Sequence, residues 1–229
     1  ITDMMLARNM GCRGFLLNGP EVEVPDDLAS TVVMHTSDWL DIASYLVDDK
    51  SLAHRKALVS RKTLETEIDI SIDIDGTGIG KIITGIGFFD HMLDQIVRHS
   101  RFDVSGSVKG DLDVDFHHTV EDTALALGGA VLKALGDKRG IERYGSEIVM
   151  MDDTVATAAI DFSGRPELIF DAEFSLPMIG DFPSELVRHF FRSFAAEAKC
   201  NLYLSARKGG DSHHTAEALF KAFARAMRN

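Results

Sequence analysis

Cysteine is scarce in this 229-residue chain: Cys12 and Cys200 are the only two. Two thiols make no disulfide framework, and so few of them suit a reducing, cytoplasmic setting. Long hydrophobic runs are missing as well. No apolar stretch approaches the roughly 18 residues that a membrane-spanning helix needs, so no membrane partner is expected. No basic segment followed by an apolar one marks a secretory signal. Positive charge is in deficit: 24 lysines and arginines face 36 aspartates and glutamates, a formal net charge of −12. Such acidity argues against nucleic acid as the main partner, because a phosphate backbone needs a basic face. The chain also lacks Met at its first position, so a piece of a longer polypeptide is expected. What remains is ample for folding. A hydrophobic content of 45% supports a buried core, and the length allows one large domain or two small ones.

Texture changes along the chain. Residues 1–57 read as short mixed pieces: an amphipathic stretch at 3–10, an apolar run at 14–17, and a loop broken by Pro20 and Pro25. A short helix capped by Ser37 follows, then a polar linker or exposed helix end over 48–56. Beyond it the patterns lengthen. Residues 66–75 alternate polar and apolar, with Ile68, Ile70, Ile72 and Ile74 on one side, the signature of a half-buried strand. A turn at 76–78 leads to a return strand over 81–84. Helices are expected at 91–99, 117–135, 184–198 and 213–228. Strands are expected at 102–108, 112–115, around 148–150, and at 154–162, 166–174 and 201–206.

This order repeats. His91 opens a helix, a strand follows, and His117-His118-Thr119-Val120-Glu121 opens the next helix. Later His189 lies in a helix, a strand follows, and His213-His214-Thr215-Ala216-Glu217 opens the last one. His91 precedes His117 by 26 residues and His189 precedes His213 by 24. Two similar halves, about 58–140 and 141–229, predict a duplicated α+β domain with a quasi-two-fold axis.

The repeated His-His-x-x-Glu pattern carries the chemistry. Residues four apart share one helix face, so His117 with Glu121, and His213 with Glu217, form two clamps suited to divalent ions. His118 and His214 point about 100° away, toward other ions. His91 and His189 add one imidazole per half. Six histidines and two glutamates supply four ligands for each of two metals. Neutral imidazole with carboxylate suits Mn, Fe, Co or Zn. The lack of thiolates disfavours a structural zinc site. A two-metal hydrolase and a non-catalytic, metal-assembled shell use the same ligands. The Gly-rich segment at 76–87 lacks the spacing of a nucleotide-binding loop.

The segments Gly87-Phe88-Phe89-Asp90-His91-Met92-Leu93-Asp94-Gln95, Gly110-Asp111-Leu112 with His117-His118-Thr119-Val120-Glu121-Asp122, Ser163-Gly164-Arg165-Pro166, and Leu219-Phe220-Lys221-Ala222-Phe223 resemble the imidazoleglycerol-phosphate dehydratases. The likeness runs over about 59–228. It implies a ribosomal protein S5 domain 2-like fold and two Mn²⁺ ions per active site, on His91, His117, His118, Glu121, His189, His213, His214 and Glu217. It also implies sites formed where subunits meet, in a 24-subunit shell. The implied reaction is dehydration of D-erythro-imidazole-glycerol phosphate to imidazole-acetol phosphate in histidine biosynthesis, with the ring held as imidazolate between the ions. Glu65 matches the family's acid/base carboxylate. Gln95, Arg143, Arg165 and Lys221 match its substrate and phosphate contacts. Two departures stand out. Phe116 replaces a common Asp, which is expected to alter hydrogen bonding to His117 or His118, and 150–153 reads Met-Met-Asp-Asp where the family has Pro-Met-Asp-Glu.

The ends carry their own resemblances. Thr2-Asp3-Met4-Met5-Leu6-Ala7-Arg8-Asn9-Met10-Gly11 is similar to the last motif of haloacid-dehalogenase-type phosphatases, which some bacteria fuse ahead of the dehydratase. Residues 1–57 are therefore expected to be a loosely packed remnant without phosphatase activity, and 58–229 the dehydratase domain. Asp73-Ile74-Asp75-Gly76-Thr77 mimics the phosphatase nucleophile motif but sits inside the alternating strand. At the other end, the family's Ser-Lys-Gly tail loop does not appear before Asn229, so weaker phosphate binding is expected.

Overall fold

The computed structural model describes residues 2–17, 23–46, 54–207 and 210–228. It divides into two compact units, Ile1–Ala53 and His54–Asn229. Pro20 and most of the linker expected at 48–56 lie outside the described residues.

The first unit contains α1 (Thr2–Asn9), β1 (Gly14–Leu17), a 3-10 turn (Asp26–Leu28), β2 (Val32–Thr36) and α2 (Trp39–Leu46). β1 and β2 pair in parallel. Met4, Leu16 and Leu28 form a small core, while Met5, Leu6, Met10, Trp39, Tyr45 and Leu46 remain exposed. A two-stranded sheet buries little apolar surface by itself.

The second unit runs β3 (Lys56–Lys62), β4 (Thr66–Asp73), β5 (Ile82–Ile83), α3 (Gly87–Ser100), β6 (Asp103–Gly110) and α4 (His117–Leu135). It continues β7 (Tyr144–Met151), β8 (Thr154–Asp161), β9 (Glu167–Asp171), β10 (Met178–Ile179), β11 (Phe182–Pro183), α5 (Glu185–Ala198), β12 (Asn201–Ala206) and α6 (Ser212–Arg228). Two four-stranded sheets have the orders β3-β4-β6-β5 and β7-β8-β12-β9. In each, the last strand runs parallel to its neighbour and the other pairs are antiparallel. The duplication expected from the sequence is thus the architecture of the fold.

Alternation sets the buried face of each sheet. Ile68, Ile70 and Ile72 of β4 are buried, as are Ala156, Ala158 and Ile160 of β8. The helices lie between the sheets and pair across the halves, α3 on α6 and α4 on α5. Phe190, Phe191, Phe194, Phe220 and Phe223 contact one another ring to ring where α5 meets α6. Where α4 meets α5 the backbones approach closely. A Cβ on Gly128 would stand 2.7 Å from the Phe194 carbonyl oxygen, so only glycine fits there.

Several elements differ from the sequence expectation, among them the unanticipated strands β2, β10 and β11. β3 went unread because KALVSRK buries only Ala57 and half-buries Val59, while its Arg61 pairs with Asp122 of α4. The strand runs through the boundary expected at 57. Residues 112–115 turn, because the Val114 N–H donates to the Asp111 carbonyl at 2.8 Å. α3 starts at Gly87 rather than at 91, after Asp90 has accepted bonds from the Thr84 N–H and hydroxyl. β5 pairs with β6 in parallel rather than returning along β4. The cause is Asp103, whose Oδ1 accepts the N–H groups of Thr77, Gly78 and Ile79 at 2.8, 2.9 and 2.8 Å. Those three bonds carry the chain across the end of β6. In the phosphatase-like mimic, Asp75 is held by Arg55, and Asp73 by His54 and Lys56.

The Ile79 and Thr77 N–H groups hold the Asp103 carboxyl below its ordinary range, against burial, and Gly78 adds to them. A depressed folded value stabilises the fold above the unfolded value of about 3.9, and the contribution is lost as pH falls through the folded value. Asp103→Asn should therefore cost about 1–2 kcal/mol at pH 7, read from urea midpoints, with the gap to wild type closing as pH falls below the ordinary carboxylate range.

Candidate functional site

Each His-His pair begins its helix for a local reason. Asp115 Oδ1 accepts the His117 N–H at 2.7 Å, and Asp211 Oδ1 accepts those of His213 and His214 at 2.7 and 3.3 Å. Carboxylates at these positions satisfy first-turn donors and favour the positive helix end. The sequence held this signal as Asp-x-His-His, present twice.

Helix pairing across the halves then builds two clusters. His91 of α3 joins His213 and Glu217 of α6. His189 of α5 joins His117 and Glu121 of α4. In each group the three ligand atoms lie within 4.8 Å of one another. In the first, Nε2 of His91 and Nε2 of His213 both stand 3.2 Å from Glu217 Oε2. In the second, Nε2 of His117 and of His189 stand 3.8 and 3.6 Å from Glu121 Oε2. Both clamps expected from helical spacing are present. Each is completed by the single histidine of the opposite half, a crossing that spacing alone does not reveal.

Ligand atoms about 2.1 Å from one ion stand roughly 3–3.4 Å apart, so the first cluster is close to chelating geometry and the second slightly open. Nε2 of His189 is buried without a hydrogen-bond partner among the described residues. An orphaned imidazole nitrogen beside a carboxylate fits a cation. Three donors leave the shell of such an ion incomplete.

His118 and His214 stand apart from both groups. Nδ1 of His118 bonds Asp111 Oδ2 at 3.0 Å, and Nδ1 of His214 bonds Asp153 Oδ1 at 3.1 Å. These carboxylates raise both imidazole pKa values, foremost through the hydrogen bonds themselves. Asp111, Asp153 and Asp211 had no role assigned from sequence. Phe116 packs against the core; nearby, Asp115 accepts the His117 backbone N–H and Asp111 bonds the His118 ring.

The substrate candidates divide by position. Gln95, one turn after His91, is buried and reaches His91 Nδ1 at 3.4 Å. Lys221, one turn after Glu217, pairs with its Oε1 at 2.7 Å. Burial pushes the Glu217 carboxyl up, but Lys221 and His91 outweigh it and the net shift is downward. Glu65 sits exposed before β4. Asp122 ties its hairpin to α4, accepting from Arg61 at 2.8 Å and from the Thr63 and Thr66 hydroxyls. Arg143 and Arg165 lie elsewhere. Arg143 pairs with Asp161 at 2.6 Å, at the end of β7 opposite Asp153, about 23 Å along the strand by its rise. Arg165 follows β8 in an exposed turn. A cavity of about 600 Å³, lined in part by Phe170, Phe174, Arg188 and Arg192, opens beside His117 and His189. The Cys200 thiol is fully buried, and burial pushes its pKa up to about 12.

Residues 84–227 match the profile of imidazoleglycerol-phosphate dehydratase. The chain belongs to the imidazoleglycerol-phosphate dehydratase family. The imidazoleglycerol-phosphate dehydratase of Agrobacterium fabrum is 53% identical over 177 residues, which cover 77% of this chain and 89% of that one. The histidine biosynthesis bifunctional protein HisB of Spirosoma linguale is 47% identical over 238 residues, covering 100% of this chain. The match spans only 61% of that bifunctional relative's length. The crystal structure of the dehydratase from Staphylococcus aureus superimposes with a TM-score of 0.67 at 35% identity, covering 75% of this chain and 95% of that one. Membership in this family accords with the duplicated α+β fold. No described helix is long and apolar enough to cross a membrane.

Asp211→Ala should lower stability by about 1 kcal/mol, the usual loss for a helix cap, as measured by urea unfolding of metal-free protein.

Proposed function

We propose that this chain is a metal-dependent hydro-lyase that dehydrates D-erythro-imidazole-glycerol phosphate to imidazole-acetol phosphate in cytoplasmic histidine biosynthesis. The pair of His-His-Glu clusters carries the reading, together with the orphaned His189 nitrogen. His91, His213 and Glu217 would hold one Mn²⁺ and His117, Glu121 and His189 another. His118 and His214, directed away from both, would each complete a cluster on another copy of the chain. This supports a self-assembled shell, the 24-mer of the family, with sites at subunit contacts.

Bound Mn²⁺ would supply Lewis acidity and a template for the imidazole ring of the substrate. The chain's own groups account for the rest. Dehydration breaks a C–H bond and the neighbouring C–O bond, releasing water and leaving an enol that becomes the ketone. Glu65 is the acid/base: its carboxylate is exposed at a hairpin tip anchored to α4 through Asp122, so it can take or give a proton. Lys221 keeps Glu217 ionised and, with Gln95, borders the ring site. Arg143 and Arg165 offer planar forks suited to phosphate oxygens. Their distance from the chain's own histidines supports service in a site shared with another copy. The first unit, covered in full by the bifunctional relative, is read as the end of a phosphatase domain.

The test is turnover of imidazole-glycerol phosphate by metal-stripped protein with and without Mn²⁺, followed through the ultraviolet absorbance of the enolisable ketone. Activity is expected only with metal. Glu65→Gln should lower kcat by about 10²–10⁴-fold while metal content is retained. Glu121→Ala and Glu217→Ala should each lose bound metal. Release of inorganic phosphate instead of ketone would refute the assignment.

A further inference from the structure

The duplicated halves are not equivalent in their carboxylates. Sheet order matches β3 with β7 and β4 with β8. Each hairpin ends in an acidic residue and then a buried threonine that opens the second strand, Glu65-Thr66 in one half and Asp153-Thr154 in the other. Both oxygens of the Asp153 carboxylate are engaged: Oδ1 meets His214 Nδ1 at 3.1 Å and the Thr154 hydroxyl at 3.3 Å, and Oδ2 accepts the Asp211 N–H at 3.1 Å. In the first half the matching bond to His118 comes from a different place. Asp111, just past β6, reaches His118 Nδ1 at 3.0 Å through Oδ2, and its Oδ1 is buried without a hydrogen-bond partner among the described residues. Glu65 contributes only at longer range to the charge around His118.

A carboxylate accepts a hydrogen bond only from a protonated ring nitrogen, so both imidazoles carry hydrogen on Nδ1, and in the neutral ring that leaves the lone pair on Nε2. That lone pair is what a cation binds, and an outer carboxylate of this kind fixes both tautomer and ring direction. We infer that Asp111 and Asp153 are positioning residues, which fix His118 and His214 so that Nε2 of each is presented as a ligand to a cation held by another copy of the chain. The inference rests on the reading above and deepens it. It also accounts for there being one proton-transferring carboxylate per chain. Asp111 takes over the orienting task in the first half and leaves Glu65 free, whereas the hairpin residue of the second half is committed to His214. Asp152, largely exposed, comes within 3.6 Å of His214 Nε2, and a cation arriving there would displace or recruit it.

The experiment uses the full chain, metal-stripped, with Mn²⁺ alone as probe. Free Mn²⁺ is followed by electron paramagnetic resonance, and ring tautomers by two-bond ¹H–¹⁵N correlation, assigned with His118→Gln and His214→Gln. Wild type should place both rings in the Nδ1–H form. Asp111→Ala and Asp153→Ala should each release one ring from that form and weaken Mn²⁺ binding by about 10- to 100-fold. Asp153→Glu, which keeps a carboxylate in reach, should restore binding to within about threefold of wild type. An Nε2–H tautomer in the wild type overturns the inference whether or not the variants fold. So does unchanged Mn²⁺ binding in both alanine variants. A wild-type chain that binds no Mn²⁺ overturns the reading it rests on, and this inference with it.

Discussion

Packing of helices across the two halves is the constraint on which the rest depends. α3 lies on α6 and α4 on α5, so each His-His-x-x-Glu helix finds its third donor on a helix from the opposite half. Neither half alone can assemble a three-donor cluster. The approach of α4 to α5 depends on Gly128, where any side chain would meet the Phe194 carbonyl. The ring contacts among Phe190, Phe191, Phe194, Phe220 and Phe223 hold α5 against α6. Burial of apolar rings and a single bare backbone position thereby decide which imidazoles meet, although none of these groups touches a ligand atom.

Quasi-symmetry supplies two similar clusters, and small departures from it assign different duties. The first cluster is tight, with Glu217 enclosed and neutralised on one oxygen by Lys221. The second is more open and borders the cavity lined by Phe170, Phe174, Arg188 and Arg192. At the hairpin tips the same position carries an exposed carboxylate, Glu65, in one half and one hydrogen-bonded through both oxygens, Asp153, in the other. A duplicated fold can specialise in this way without altering its backbone, since exchanging one hydrogen-bond partner suffices.

Much of this was legible in the sequence, for reasons that can be named. Strand β4 shows its alternation because one face is buried and the other wet. The His-Glu clamps show because residues four apart on a helix face the same way, a local rule that needs no partner. The duplication shows because both copies keep their motifs at near-equal spacing. What stayed hidden depends on distant contacts. Asp153 meets His214 across 61 positions, and Asp122 meets Arg61 across the same number. β3 has weak alternation because one of its inward positions is that arginine. β5 follows β6 only because Asp103 collects three backbone donors from the preceding loop. No window of sequence contains both members of such pairs.

The buried thiol has a consequence of its own. Cys200 is the sole sulfhydryl of the second unit, and with its proton lost only near pH 12 it remains uncharged in any ordinary medium. Thiophilic ions such as Cu(I) therefore meet no soft anion in that unit, and peroxide finds no thiolate to oxidise there. At the proposed metal site, selection among ions would fall to imidazole and carboxylate.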